Sequence, residues 1–344
     1  MTTTRIGAGP PHAAGKRWPG RAVRVFGLAL AALLPAMAGC GQAPERPSSP
    51  PKTSSAAASS AATQDGCAGG ARLTAGRHKL TFAGEDRVFL LTLPEGDGPH
   101  PVLLNLHGLG STAREQAAYS RLPRVGGRRG YIVATPQVAK DRLAWTLPHG
   151  FGPDDTGFLG ALLDRLEQRL CVDRRREFAA GLSYGGAMAT ALVCGLDGRL
   201  AGVAAVGGVN IVRPCRDPEP ATLVAFHGTA DRVVPYRGGH PLRDAPGDLR
   251  KLADLVTLQP VEQVTRGWAD ALGCPSAATT APAPGVRLRT WTGCARGARV
   301  HLYTISGGGH TWPGPIEVST LGATNRHLDA TRLILDAFDA ARPV

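Results

Sequence analysis

Aromatic residues are scarce in this chain: five Trp, five Tyr and eight Phe make up 5% of 344 residues. That leaves little for the stacking platforms on which proteins hold sugar rings or successive bases. No cysteine pair has CxxC spacing and no cysteine sits in a histidine-containing ligand cluster, so a structural zinc site, or any other metal, is not expected. Net charge is +12, yet no dense Lys/Arg stripe is interleaved with aromatics, and nucleic acid is not an expected partner. No internal repeat is visible. The longest apolar run, Val25 to Leu34, is too short for an ordinary membrane-spanning helix.

That run does have a meaning. Arg5, Lys16, Arg17, Arg21 and Arg24 precede it with no acid among them, and Met37-Ala38-Gly39-Cys40 follows it. A basic region, a short apolar region and small residues at a cleavage point make a signal peptide over 1–39. The small-small-Cys ending is similar to a bacterial lipobox, with Met37 where Leu is commoner. Cys40 is then the expected lipidated N-terminus. The expected location is outside the cytoplasm, anchored at the cytoplasmic or outer membrane, with plain secretion as the alternative. Residues 40–66 are mostly Pro, Ser, Ala and Thr and bury almost nothing, as expected of a disordered tether. Residues 67–344 are expected to form one catalytic domain. The leader carries five of the 39 basic residues and none of the acids, so the processed chain is only mildly basic.

Six cysteines remain beyond Cys40, an even number that reads as disulfide-bonded in an exported protein. Cys274 and Cys294 flank a Pro/Ala-rich loop and form one candidate pair. Cys171 and Cys194 bracket a strand and helix and form a second.

Near-continuous apolar runs at 101–107, 131–135, 201–206 and 221–226 read as strands buried on both faces. Phe158, Leu159, Leu162, Leu163, Leu166 and Leu170 recur at helical spacing, with Asp154 and Asp155 at that helix's start. Further helices are expected near 261–272 and 324–341. Further strands are expected at 286–291 and 300–305, with a paired opening at 79–82 and 88–93. Strands alternating with helices imply an α/β fold, a mostly parallel central sheet with helices on both faces. Residues 237–259 read as surface decoration in preference to an active-site lid.

The chemistry gathers at strand ends. Gly181-Leu182-Ser183-Tyr184-Gly185 links a buried strand to a packed helix, the setting of a nucleophile elbow. A chain with 45 glycines matches Gly-x-Ser-x-Gly easily, so the context carries the weight. A serine hydroxyl needs a base, and the base needs an orienter. Asp231 lies just past the strand ending at Phe226. His310 follows three glycines after the strand ending at Ile305, in a loop able to fold tightly. Of the remaining histidines, His227 reads as a structural partner of the Asp231 loop and His301 as a strand residue. Ser183, Asp231 and His310 occur in the chain order of the α/β-hydrolase fold. His107-Gly108-Leu109-Gly110 ends the first buried strand, and the backbone N–H groups of Leu109 and Tyr184 are the candidate oxyanion donors. Trp145 and Trp312 are candidate pocket walls.

Together, His107-Gly108, Gly-Leu-Ser-Tyr-Gly-Gly, the 227–236 run His-Gly-Thr-Ala-Asp-x-Val-Val-Pro-Tyr and the 307–314 run Gly-Gly-Gly-His-Thr-Trp-Pro-Gly resemble the polyhydroxybutyrate depolymerase/feruloyl esterase group of secreted serine esterases. The resemblance spans about 80–330 and is nearest to the small bacterial lipoprotein members of the group. It implies a Ser183/His310/Asp231 carboxylesterase that needs no cofactor, and it does not fix the substrate. A monomer that acts on a small ester or oligoester and meets a membrane only through its lipid is expected. The expected substrates are short-chain or hydroxyalkanoate-type esters. Feruloyl or acetyl-xylan esters, peptide bonds, and a non-catalytic surface-binding role stay open as alternatives.

Overall fold

The computed structural model describes residues 66–68 and 72–342. The leader, Cys40 and the tether through residue 65 lie outside the described residues. Among the described residues ten strands form one sheet. In chain order they are β1 (Gly76–Phe82), β2 (Glu85–Thr92), β3 (His100–Leu106), β4 (Ile132–Pro136), β5 (Val172–Leu182), β6 (Leu200–Val206), β7 (Thr222–Gly228), β8 (Ser276–Ala283), β9 (Val286–Thr292) and β10 (Val300–Ile305). The helices are α1 (Ala113–Ser120), α2 (Leu122–Arg128), α3 (Asp155–Arg169), α4 (Tyr184–Gly195), α5 (Gly247–Asp254), α6 (Val261–Ala271) and α7 (Ala330–Asp339).

The strand order is β1-β2-β4-β3-β5-β6-β7-β10-β9-β8. From β4 to β10 every neighbouring pair is parallel, and antiparallel pairs extend the sheet at both edges. This is the α/β-hydrolase architecture. The parallel strands are buried along nearly their whole length, as their continuous apolar runs require.

Alternate side chains feed two cores. Leu104, Leu106, Val203 and Ala205 pack with Phe158, Leu162, Met188 and Trp268 on the face of α3, α4 and α6. Leu103, Ala204 and Val206 pack with Leu122, Leu335 and Phe338 on the face of α2 and α7. One charged pair is buried among them: Arg87 of β2 donates to Asp155 at 2.6 Å, and Thr146 N–H donates to the other Asp155 oxygen at 2.7 Å. A lone buried charge costs several kcal/mol, whereas this carboxylate is satisfied on both oxygens and fixes the loop before α3.

Four sequence expectations change. The Pro/Ala-rich stretch between Cys274 and Cys294 is not a loop but includes β8, an exposed edge strand where Pro282 forfeits little. The last helix begins at Ala330 rather than 324, with Asp329 accepting from Arg332 N–H as its cap. Helices α1 and α2 appear where no helix was expected. Cys171 does not pair with Cys194. Instead Gly66 N–H donates to Glu167 O at 3.2 Å, which sets Gly66 beside the end of α3, and Cys67 bonds Cys171. Cys194, at the end of α4, bonds Cys215 in the loop after β6. The Cys274–Cys294 bond is present. Disulfides are a chemistry of oxidising compartments.

Peptide mapping of the unreduced protein should return three crosslinked pairs, 67–171, 194–215 and 274–294. A 171–194 crosslink would contradict this packing of the α3 and α4 ends.

Candidate active site

Parallel register sets the site. Leu106 pairs with Gly181, Leu182 with Val206, Val206 with Phe226, and Gly228 with Ile305. The carboxyl ends of β3, β5, β6, β7 and β10 therefore fall on one edge, where open α/β sheets place their ligands. The loops bearing Leu109, Ser183, Asp231 and His310 all leave from that edge.

Ser183 sits between β5 and α4 at φ 57°, ψ −123°, a conformation that L residues rarely adopt. Such strain costs about 1–3 kcal/mol and persists only where surroundings over-determine it. Here Ser183 N–H donates to Val206 O at 2.7 Å, and Ser183 O accepts from Ala187 N–H at 3.0 Å. The turn also needs glycine at 185, because a Cβ there would stand 2.2 Å from Leu106 O.

Asp231 and His310 meet at 2.7 Å, Oδ2 to Nδ1. The other carboxylate oxygen accepts from Val233 and Val234 N–H, both at 2.8 Å. Burial acts to raise the Asp231 carboxyl, but hydrogen bonds from His227 and His310 outweigh it and hold the group well below the usual carboxylate range. His227 donates from Nε2 to Val234 O at 2.8 Å and lies 3.4 Å from Asp231 Oδ2, so it is a partner of that loop. The acid and imidazole loops are stitched together. Ala230 N–H donates to Gly308 O at 2.9 Å and Thr229 N–H to Ile305 O at 2.8 Å, while a Cβ on Gly228 would stand 2.1 Å from Gly308 O.

With Nδ1 committed to Asp231, His310 keeps Nε2 for the site. Ser183 and His310 line the same cavity of about 990 Å³. The Ser183 hydroxyl has no hydrogen-bond partner among the described residues, a looseness common in unliganded sites that tighten around substrate. The N–H groups of Leu109 and Tyr184 likewise donate to nothing among the described residues. Among those residues no group of three or more His, Cys, Asp or Glu is arranged to hold a metal ion.

The two tryptophans lie elsewhere. Trp145 is 2% exposed, and its Nε1–H donates to His107 O at 2.9 Å. It borders a small neighbouring hollow, not the main cavity. Trp312 is buried against α7, with Nε1–H donating to Thr331 Oγ1 at 3.0 Å. Both are structural supports. The wall comes instead from α1, from 316–321 and from the 237–259 segment, which is therefore no mere decoration. A sequence signal for α1 existed: Thr112 and Glu115 form a complete capping box. Asn105 of β3 also escaped notice. Its Oδ1 accepts from Gln116 and Ser120 of α1, and its Nδ2 donates to Thr135 Oγ1, an internal network that fixes α1 on the sheet.

No protein-family model matches the chain. NocK of Nocardia uniformis subsp. tsuyamanensis, a protein named as an esterase, is 31% identical over 342 residues, covering 91% of this chain and 97% of that one. The chain belongs to the family of this esterase, and feruloyl esterases are among its relatives. It is a hydrolase of carboxylic ester bonds. Feruloyl esterase B of Piromyces equi is 28% identical over 226 residues, 62% of this chain and 40% of that protein. Among solved structures, an acetyl xylan esterase from Aspergillus awamori shares the fold of the esterase with a TM-score of 0.54 and 13% identity, covering 77% of this chain and all of that one.

Under the site, His107 accepts at Nε2 from Gln137 Nε2 and Val138 N–H, so burial holds it neutral, with its pKa below the ordinary histidine value. His301 in β10 is pushed down to about 4 by burial and by the Arg299 charge. A value depressed in the fold means the unfolded chain takes the proton first. These contributions to stability are complete above about pH 6.5 and are lost as pH falls from there toward 4. The unfolding free energy from urea titration should fall between pH 7.5 and pH 5 by an amount on the order of 1 kcal/mol, lowering the midpoint, and His301→Gln should flatten the slope. Equal midpoints across that range would contradict the neutral assignments.

Proposed function

We propose that the chain is an exported serine carboxylesterase acting through an acyl-enzyme. The Asp231–His310 hydrogen bond at 2.7 Å, opening on the cavity that also receives Ser183, carries the reading. Ser183 Oγ attacks the ester carbonyl while His310 Nε2 takes its proton. Asp231 holds the imidazole tautomer and stabilises the imidazolium that forms. The carbonyl oxygen, now an oxyanion, is received by the Leu109 and Tyr184 N–H groups, each worth about 2.7–4 kcal/mol in comparable sites. The tetrahedral intermediate collapses, the alkoxide leaves with the proton from His310, and water activated by the same imidazole releases the acid.

Anchoring through Cys40 and the 40–66 tether completes the proposal on the side of location. The substrates proposed are soluble, non-polymeric esters with an aliphatic group on one side of the ester bond. A second reading, feruloyl or acetyl-xylan esters, is supported by the names of relatives. The scarcity of aromatics around the site argues against a sugar-stacking alcohol side.

Ser183→Ala should lower 4-nitrophenyl butyrate turnover by at least about 10⁴-fold, and Asp231→Asn by about 10³–10⁴-fold, with unchanged circular dichroism. A fluorophosphonate should label the parent and not Ser183→Ala. Undiminished turnover in Ser183→Ala removes that residue from the mechanism. Faster cleavage of the matching anilide than of the ester would favour a peptidase. Absence of labelling and turnover would favour a binding protein.

A further inference from the structure

The segment after β7 folds back over the site. Gly239 and Leu258 exchange backbone hydrogen bonds, both at 2.9 Å, and close its neck. Leu242 N–H donates to Val233 O at 2.7 Å, beside the Asp231 loop, and Arg232 grips Asp244 through two hydrogen bonds. Within this lobe Leu249, Leu252, Ala253 and Val256 recur at helical spacing on one face of α5 and its end. Asp248, Arg250, Lys251 and Asp254 take the other face. The apolar face turns onto the cavity that holds Ser183 and His310, yet Leu252 remains 62% exposed.

Large exposed apolar side chains are otherwise few. Among the described residues they are Leu109, Leu143, Phe151, Leu249, Leu252, Leu255, Val256 and Ile316, and all but Leu255 line the cavity or the small hollow beside it. An apolar patch concentrated at one mouth marks a binding surface. Its charge narrows the ligand. Among the described residues no Lys, Arg or Asp lines the cavity, and Glu115 is its only carboxylate. That carboxylate is already taken up by Ser111 Oγ and Thr112 N–H. A substrate with a terminal carboxylate, as a hydroxyalkanoate oligomer has, finds no cation there. A polyhydroxylated sugar finds few free partners.

Building on the serine-esterase reading, we propose that the 237–259 lobe is a specificity wall. It selects esters carrying an unbranched aliphatic chain of about six to ten carbons, on the acyl or the alcohol side. The chain lies along Leu249, Leu252 and Val256 and covers their exposed surface. Each buried methylene is worth up to about a fourfold gain in kcat/KM.

Two substrate series test this below their aggregation limits: 4-nitrophenyl esters from acetate to decanoate, and alkyl acetates from ethyl to octyl. In one series kcat/KM should rise about tenfold or more from the shortest to the eight-carbon member, and the series that rises tells which side of the ester the wall receives. Leu249→Asp and Leu252→Asp should each lower that eight-carbon to two-carbon ratio by about tenfold. Leu255→Asp, at a position 82% exposed and outside the cavity lining, should keep the parent ratio. Flat or falling profiles in both series, with acetate cleavage still dependent on Ser183, overturn the specificity wall and leave the esterase standing. Failure to cleave any member overturns the esterase reading and this one with it.

Discussion

One hydrogen bond organises the functional edge of this protein: the buried contact between Asp231 and His310. A carboxylate with almost no solvent must find donors or lose its charge. Asp231 finds Val233 N–H and Val234 N–H on one oxygen and His310 on the other, with His227 close by. That arrangement needs β7 and β10 side by side and ending level, which their parallel register supplies. It also needs the two loops to touch, which the small residues at 228 and 308 permit. The geometry is thus paid for by the sheet, and the imidazole is left with one nitrogen free.

The same edge concentrates the costs of the structure. Ser183 holds an unfavourable backbone conformation, two N–H groups stand without acceptors among the described residues, and an apolar cavity is left open. Each would be a defect elsewhere in a domain this well packed. Gathered within one cavity lining, they describe a place built to receive a carbonyl oxygen and an apolar substituent. The covalent crosslinks lie at other points, fastening the ends of α3 and α4 and the edge hairpin, so rigidity is supplied around the cavity rather than across it.

Much of this was legible in the sequence because the signals were redundant. The strands 101–107, 201–206 and 221–226 are continuous apolar runs that only a doubly covered sheet accommodates. Ser183, Asp231 and His310 each follow such a run, in the expected order. What was not legible depended on tertiary context. The β8 edge strand is polar and small because only one neighbour and no covering helix act on it. Trp145 and Trp312 carry no sequence mark that separates a wall from a support; each is buried with its indole N–H satisfied by an internal acceptor. The Cys171–Cys194 pairing failed because bracketing an element in sequence does not bring its outer ends together. The 237–259 segment looked polar on average, while its apolar residues were spaced to share one helical face.

The most direct test is a crystal structure of the protein inactivated by an alkyl phosphonate ester, whose tetrahedral adduct stands in for the oxyanion intermediate. The phosphorus should be bonded to Ser183 Oγ, with one phosphoryl oxygen within hydrogen-bond distance of the Leu109 and Tyr184 N–H groups and His310 Nε2 facing the serine oxygen. An adduct on another residue, or a phosphoryl oxygen turned away from both N–H groups, would contradict the convergence of these loops into one catalytic site.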